Sequence, residues 1–187
     1  MELFGRNVEL VRGDIARQPG FMAVVNAANA QLMPGGGVAG AIHRAAGPLL
    51  AEECREHAPI RPGEAVLTGA HNLPNRYVIH CLGPVFGVDE PARELLASCY
   101  REALGLADAH GIPSIAFPAI STGAFGYPMR EAAEVAIGAV VAQLPRLDHV
   151  RRIRFVLATR EALDVHIGAL ERIAPGHVQV PGPVARD

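Results

Sequence analysis

The chain has 187 residues, of which 50% are hydrophobic and 19% are charged, and its formal net charge is −2. This length and composition are typical of one soluble globular domain and exclude a disordered chain. The small net charge predicts no direct nucleic-acid partner. All basic residues are arginine, which excludes a lysine nucleophile or a lysine Schiff base.

The cysteines and the N-terminus indicate the cellular compartment. Cys54, Cys81 and Cys99 are odd in number and contain no C-x-x-C pair, so the sequence predicts buried free thiols, no disulfide framework and no metal site. The N-terminus lacks a basic segment followed by an apolar one, and no apolar run approaches the length of a membrane span. We therefore expect a cytoplasmic protein that does not contact a membrane.

The first half of the chain predicts two strands and a long helix. Residues 7–11 alternate between polar and apolar and predict a strand that leads into a turn carrying Asp14. Residues 23–25 are apolar and predict a second strand. Apolar residues then recur at helical spacing over residues 38–56, which predicts one helix that contains His43.

The second half of the chain predicts a strand pair followed by alternating helices and strands. The paired strands are expected at 65–70 and 77–82, joined by a turn at 72–75. Gly111 is expected to close the next helix. The elements after the pair are a helix at 91–110, a strand at 114–118, a helix at 129–144, a strand at 153–158 and a helix at 161–173.

Strands that alternate with helices indicate an α/β fold with a mixed, largely parallel central sheet covered on both faces. We expect residues 1–174 to form a single domain. Residues 175–187 are rich in proline and glycine, so we expect a flexible C-terminal tail.

Two glycine-rich turns follow apolar strands and precede helices. One runs from Asn26 to Asn29 and on into Gly35-Gly36-Gly37, and the other is Ser121-Thr122-Gly123-Ala124-Phe125-Gly126. Backbone N–H groups in such turns bind anions, and ligands of α/β sheets collect at the carboxyl ends of strands. Two such turns predict a diphosphate ligand. The alternative is that both are ordinary tight turns.

Five segments of the chain stand in a characteristic order and spacing. They are Gly13-Asp14-Ile15, Val25-Asn26-Ala27-Ala28-Asn29, Gly35-Gly36-Gly37-Val38, Ile42-His43-Arg44-Ala45-Ala46-Gly47, and the run from Pro118 to Pro128. In this order and spacing they resemble the macro domain, and the resemblance extends to about Ile173. It implies a three-layer α/β/α fold that binds ADP-ribose, and many members of this family hydrolyse ADP-ribose from modified proteins or small conjugates.

The resemblance implies a role for particular residues at each end of the ligand. Asp14 would accept a hydrogen bond from the adenine amino group beside the Ile15 backbone, because a carboxylate can only accept. Ala158 and Thr159 would flank the adenine. The distal ribose and diphosphate would contact Asn29, Gly35, Gly36, Gly37, Val38, Ser121, Thr122, Gly123, Ala124 and Phe125.

Several of these residues have a structural alternative. Asp14 could cap its own turn instead of contacting a ligand. Phe125 could belong to the core. Asn26 is expected to hold its turn rather than touch the ligand, since asparagine at a strand end commonly does so.

Position 39 bears on catalysis. In the best-known hydrolytic branch the residue after the Gly-Gly-Gly-Val segment is an aspartate proposed to activate water, whereas this chain has Ala39. His43 lies one helical turn later and could act as the base, or it could be purely structural. Alternatively, the phosphate of the ligand could activate the water. The candidate catalytic residues are Asn29, Gly37 and His43.

The resemblance therefore implies an ADP-ribose-binding hydrolase that acts on acidic-residue-linked mono-ADP-ribose or on conjugates such as O-acetyl-ADP-ribose. The alternatives are a non-catalytic module that binds ADP-ribosylated proteins and a phosphatase for ADP-ribose 1''-phosphate. We expect a monomer with ADP-ribose as its ligand and no cofactor.

Overall fold

The computed structural model describes residues 2–175, so the tail expected at 175–187 lies outside the described residues apart from Pro175. The strands are β1 (Glu2–Leu3), β2 (Arg6–Arg12), β3 (Ala23–Ala27), β4 (Ala65–Gly69), β5 (Tyr77–Cys81), β6 (Ser114–Phe117) and β7 (Arg152–Leu157). The helices are α1 (Gly37–Ala46), α2 (Pro48–Cys54), α3 (Ala92–Ala109), α4 (Met129–Gln143) and α5 (Arg160–Ile173). A 3-10 turn, Leu144–Arg146, follows α4.

The seven strands form one sheet in the order β1-β2-β7-β6-β3-β5-β4. The four inner pairings, from β2 to β5, are parallel, and the outer strands β1 and β4 are antiparallel to their neighbours. This confirms the predicted mixed, largely parallel sheet. The carboxyl ends of five strands therefore lie along one edge of the sheet, where α/β folds bind ligands.

Alternate residues of the inner strands pack on opposite faces of the sheet. Val24 and Val78 belong to a core beneath α1 and α2, whereas their neighbours Val25 and Ile79 belong to a larger core beneath α3, α4 and α5. All four side chains are fully buried. Continuous apolar runs are therefore needed in β3 and β5, and the fold has the predicted three layers.

The single helix predicted over residues 38–56 is wrong, because the chain forms two helices there. Gly47 has φ +82 and donates its N–H to the His43 carbonyl, which ends α1. Pro48 then begins α2, where proline is favoured because its missing N–H is not needed. The chain changes direction at this break, and Leu50 and Cys54 of α2 are buried in the same core as the residues of α1.

The other predicted elements are confirmed within one or two residues at their ends. Strand β1 was not predicted. It pairs with β2 through a tight turn in which Phe4 has φ +48 and Gly5 has φ +70. Phenylalanine rarely adopts a positive φ, so the sequence carries little signal for this hairpin.

The three cysteines are free and buried, as the sequence predicts. Burial raises the pKa of the Cys54 thiol to about 11. Across residues 2–175, no helix is long and apolar enough to cross a membrane. Within the same residues, no group of three or more histidine, cysteine or acidic side chains is arranged to hold a metal ion.

Candidate functional site

A cavity of about 250 Å³ opens at the carboxyl ends of β3, β5 and β6. Both glycine-rich turns contribute to its walls, so the structure brings together the two segments that the sequence analysis singled out. Its lining residues are Ala27, Ala28, Asn29, Gly35, Gly36, Gly37, Val38, Ala39, Gly83, Ala119, Ile120, Ser121, Gly123, Ala124 and Phe125.

The first turn presents the N-terminus of α1 to this cavity. Gly36 is the N-cap residue and has no side chain to satisfy the helix, and Gly37 has φ +54. The first intrahelical bond runs from the Gly40 N–H to the Gly36 carbonyl at 3.2 Å. The preceding N–H groups at the start of the helix are therefore available to an anion.

Asn29 holds the segment that leads to this helix and also lines the cavity. Its Nδ2 donates to the Met33 carbonyl at 2.8 Å, and its Oδ1 accepts from the Met33 N–H at 3.1 Å. An amide side chain has two N–H donors and two acceptor sites on oxygen, so each end retains one. Asn29 can therefore shape the loop and bind a ligand hydroxyl at the same time.

The second turn is closed by its own backbone. The Tyr127 N–H donates to the Ser121 carbonyl at 2.9 Å, and Ser121 has φ +66. Thr122 donates its hydroxyl to the Ala119 carbonyl at 2.9 Å and does not line the cavity. Gly123 and Ala124 are exposed. Their position on the cavity wall leaves the tip of the turn open to a ligand.

Phe125 is half-buried: it lines the cavity and also packs against the core beneath α1. Its carbonyl accepts a hydrogen bond from the Phe86 N–H at 2.9 Å, which ties the turn to the segment after β5. Phe125 is therefore not a core residue, although its ring contacts the core.

Gly83 lines the cavity and was missed by the sequence analysis. A Cβ at this position would lie 2.1 Å from the Ser121 Oγ and 2.6 Å from the Ile120 Cγ2, so glycine alone permits this close approach. The available signal was the Leu82-Gly83-Pro84 segment at the end of β5, a strand parallel to β3. A glycine at that point shares an edge with both predicted turns.

Asp14, Ile15, Ala158 and Thr159 lie outside this cavity but next to one another on the same edge of the sheet. Parallel pairing of β2 with β7 places Arg12 opposite Leu157 and continues in a bond from the Gly13 N–H to the Leu157 carbonyl at 2.9 Å. Ile15 is buried, and Ala158 and Thr159 are exposed. The Thr159 hydroxyl accepts from the Ala162 N–H at 3.1 Å and thereby caps α5.

Asp14 does cap its own turn, through one carboxylate oxygen. The Ala16 N–H donates to Asp14 Oδ1 at 2.9 Å. The other oxygen, Oδ2, lies 3.7 Å from the Arg17 guanidinium, and both side chains are largely exposed. One carboxylate oxygen thus caps the turn, as the structural alternative expects, and the other remains accessible to a ligand.

His43 does not line the main cavity but lines an adjoining one behind α1. It is only 5% exposed, and within residues 2–175 neither ring nitrogen has a hydrogen-bond partner. Burial lowers the pKa of His43, which keeps the ring neutral. Ala39, one turn earlier on the same helix, does line the main cavity.

Asn26 is part of a buried hydrogen-bond network behind the site. Its Nδ2 donates to His80 Nδ1 at 3.1 Å, which leaves His80 Nε2 to donate to Thr68 Oγ1 at 2.9 Å. Asn26 thus has a structural role, as predicted, but it binds His80 on the neighbouring strand β5 rather than its own turn. Burial, with smaller effects of His43 and His57, lowers the pKa of His80 to about 3.

This network makes stability sensitive to acid. The unfolded chain protonates histidine near a pKa of about 6.5, whereas folded His80 stays neutral until about 3, so the unfolded state binds more protons as pH falls. The contribution of neutral His80 to stability should be fully present above the unfolded pKa of about 6.5 and should fall as the pH drops towards 3. We expect urea unfolding to show a loss of about 2 kcal/mol from His80 between pH 7 and pH 5.

The lowered pKa values of His43 and His166 act in the same direction. In His80→Gln the dependence on pH should be weaker than in wild type, and in the control His110→Gln, at an exposed position, it should be unchanged. Equal free energies of unfolding at pH 7 and pH 5 in wild type would contradict this account.

The chain belongs to the macro domain family, whose profile matches residues 25–136. A macro domain-containing protein of Chlorobaculum tepidum is 49% identical over 149 residues, which cover 79% of this chain and 87% of the relative. An O-acetyl-ADP-ribose deacetylase of Klebsiella pneumoniae is 45% identical over 163 residues, covering 84% of this chain and 93% of the relative.

Solved macrodomain structures have the same fold. A mutant macrodomain of Oceanobacillus iheyensis with ADPR superposes with a TM-score of 0.88 at 36% identity and covers 92% of this chain and 96% of that one. A macrodomain of Trypanosoma brucei in complex with ADP-ribose gives a TM-score of 0.80 at 38% identity, covering 86% of this chain and 67% of that one.

Proposed function

We propose that this macro domain binds ADP-ribose, with the diphosphate between the N-terminus of α1 and the turn at 121–126. The observation that carries the proposal is that the N-terminus of α1 and the turn at 121–126 line one cavity at the carboxyl ends of parallel strands. The positive end of the dipole of α1 adds to the attraction for an anion. Relatives bound to ADP-ribose support this ligand.

The distal ribose is proposed to lie against Asn29. This side chain keeps one donor and one acceptor after its two bonds to Met33, which suits a pair of ribose hydroxyls. Ser121 adds a buried hydroxyl on the cavity wall that has no partner among residues 2–175. The half-buried ring of Phe125 supplies an apolar surface for the sugar.

The adenine is proposed to lie at the edge formed by β2 and β7. Asp14 Oδ2 would accept from the adenine amino group, beside the Ile15 backbone. The exposed Ala158 and Thr159 would flank the base. The Thr159 side chain is already used as a helix cap, so its backbone rather than its hydroxyl is assigned to the ligand.

The bound conjugate is proposed to be a substrate, either mono-ADP-ribose on an acidic residue of a protein or a small ester such as O-acetyl-ADP-ribose. The deacetylase of Klebsiella pneumoniae supports the second of these. Water would add to the acyl carbon of the ester, the bond from this carbon to the ribose oxygen would break, and the proton of the attacking water would pass by way of the diphosphate to that ribose oxygen. The products would be ADP-ribose and the free carboxylic acid, which loses its proton to solvent. Gly37 would help to hold the distal ribose, so that positioning supplies much of the rate.

Two observations favour activation of the water by the phosphate of the substrate over a side-chain base. Ala39 stands on the cavity wall with no ionisable group, and His43 lines the adjoining cavity rather than this one. His43 is therefore proposed to have a structural role, in which its buried side chain packs against the sheet and holds α1 in place. Its ring centroid lies 6.4 Å from that of His80.

A single-turnover assay tests the proposed activity. Excess wild-type protein is mixed with a glutamate-linked mono-ADP-ribosylated protein, and separately with O-acetyl-ADP-ribose, and both bound substrate and released ADP-ribose are measured. We expect release faster than the uncatalysed rate. Tight binding without release would instead establish a module that recognises ADP-ribosylated proteins, and the absence of both would contradict the proposed function.

A further inference from the structure

The Gln18 side chain links the turn after β2 to strand β7. Its side chain is buried, with 5% exposure. The Nε2 donates to the Asp14 carbonyl at 2.7 Å, and the Oε1 accepts from Arg154 Nη1 at 3.1 Å. Both ends of the amide are therefore used, and they link strand β7 to the turn that contains Asp14.

Arg154 is itself held in a fixed position. Its Nε donates to Glu9 Oε2 at 2.8 Å, its Nη2 contacts the same carboxylate, and its guanidinium lies 4.3 Å from the centre of the Phe21 ring. A planar guanidinium that is paired and stacked loses little further freedom when it binds an amide. Arg154 is accordingly partly buried, whereas Arg151 and Arg152 are exposed.

The far side of the same segment is also anchored. Asn75 is buried, and its Nδ2 donates to the Gln18 carbonyl at 2.9 Å and to the Phe21 carbonyl at 2.7 Å. The backbone of Gln18 is therefore fixed independently of its side chain. A change confined to the Gln18 amide should leave the path of the segment largely in place.

The Gln18 side chain completes the set of bonds that orients Asp14. The Asp14 carbonyl accepts from both the Arg17 N–H, at 3.0 Å, and Gln18 Nε2. With Oδ1 bound to the Ala16 N–H, the turn is fixed at three points. The direction of the remaining acceptor, Oδ2, follows from that turn.

We infer that Gln18, held by Arg154, is a positioning residue that sets the preference of this site for a base with an exocyclic amino group. The inference rests on the proposed function, because it concerns the adenine end of the ADP-ribose site. In this role Gln18 would not touch the ligand itself. It acts through the orientation of Asp14, whose free oxygen accepts from an amino group and repels a carbonyl oxygen.

Inosine diphosphate ribose is the matched probe. It has a carbonyl oxygen in place of the amino group of ADP-ribose and a hydrogen on the adjacent ring nitrogen N1, so the ratio of the two affinities reports how the Asp14 carboxylate meets this edge of the base. We expect wild type to prefer ADP-ribose by about tenfold, the effect of about 1.4 kcal/mol. Asp14→Ala should bind the two ligands with equal affinity. The difference between this variant and wild type gives the whole contribution of the Asp14 carboxylate to the preference.

Two substitutions of Gln18 test its role by calorimetry with both ligands. Gln18→Met keeps the size of the side chain and removes both of its hydrogen bonds. Gln18→Glu keeps the acceptor for Arg154 and places an oxygen against the Asp14 carbonyl. Both should lower the preference for ADP-ribose by at least fivefold, while the affinity for inosine diphosphate ribose changes less than twofold. Gln143→Met, at the end of α4, is the matched control and should behave as wild type.

The outcomes separate this inference from the proposed function. An equal loss of affinity for both ligands in the Gln18 variants would indicate a purely structural role and would overturn the inference. A preference that persists in both variants, or that is missing from wild type, would also overturn it. In each of these cases ADP-ribose still binds to wild type, so the proposed function stands. It fails only if wild type binds neither ligand.

Discussion

Ala39→Asp is expected to raise the rate of ADP-ribose release about a hundredfold, at the low end of the range for general base catalysis. Ala39 lies in the first turn of α1 on the cavity wall, where the helix dipole favours a carboxylate. His43 follows one turn later on the same helix and has unpartnered ring nitrogens within residues 2–175. The introduced carboxylate would thus have access to water in the main cavity, whereas His43 lines the adjoining one.

Single-turnover release should rise in Ala39→Asp while the affinity for ADP-ribose changes by less than about threefold, a difference below 1 kcal/mol. Ala39→Asn is the matched control, because it has nearly the same shape and cannot accept a proton from water. A rate equal to that of wild type would contradict the view that the missing base limits turnover. The same would follow if the asparagine variant were equally fast.

Gly83→Ala is expected to weaken ADP-ribose binding at least tenfold and to lower the free energy of unfolding by about 2 kcal/mol, as overpacking commonly does. The new Cβ would approach the Ser121 Oγ to 2.1 Å and the Ile120 Cγ2 to 2.6 Å. Rotation of the Ser121 hydroxyl would relieve the first contact, but Ile120 is fully buried and cannot give way. The turn that faces the ligand must therefore move.

Gly105→Ala is the matched control for this substitution. Gly105 lies within α3, and a Cβ there would meet nothing within 4 Å. It should keep the affinity of wild type and gain about 0.5–1 kcal/mol of stability, because alanine is the better helix former. If Gly83→Ala had wild-type affinity and stability by calorimetry and urea unfolding, the close approach inferred for Gly83 would be wrong.

The sequence was sufficient to predict the parallel core because its strands, whether apolar runs such as β3 or alternating as in β2, are separated by segments of helical spacing. The turns at 35–37 and 121–126 were found for the same reason, since a strand, a glycine-rich turn and a helix follow one another locally in each. The break at Gly47 was also visible as a Gly-Pro step. It was missed because the apolar spacing on both sides of it is helical.

The features that the sequence did not reveal arise from contacts between distant segments. Glycine is needed at position 83 because Ser121, in the turn after β6, approaches it closely. The Gln18 bridge needs Arg154 and the exact path of the turn after β2. His43 shows the same limit, because helical spacing places it near Ala39 but does not reveal which cavity the ring faces.

Calorimetric titration of the wild-type protein with ADP-ribose tests the central claim most directly. The account predicts binding at one site per chain, with a Kd of about 1 μM, which corresponds to about −8 kcal/mol. Added free adenine should compete only weakly, because it can occupy the edge formed by β2 and β7 but gains none of the backbone N–H contacts proposed to hold the diphosphate. Absence of binding at millimolar ADP-ribose would contradict the assignment of this cavity.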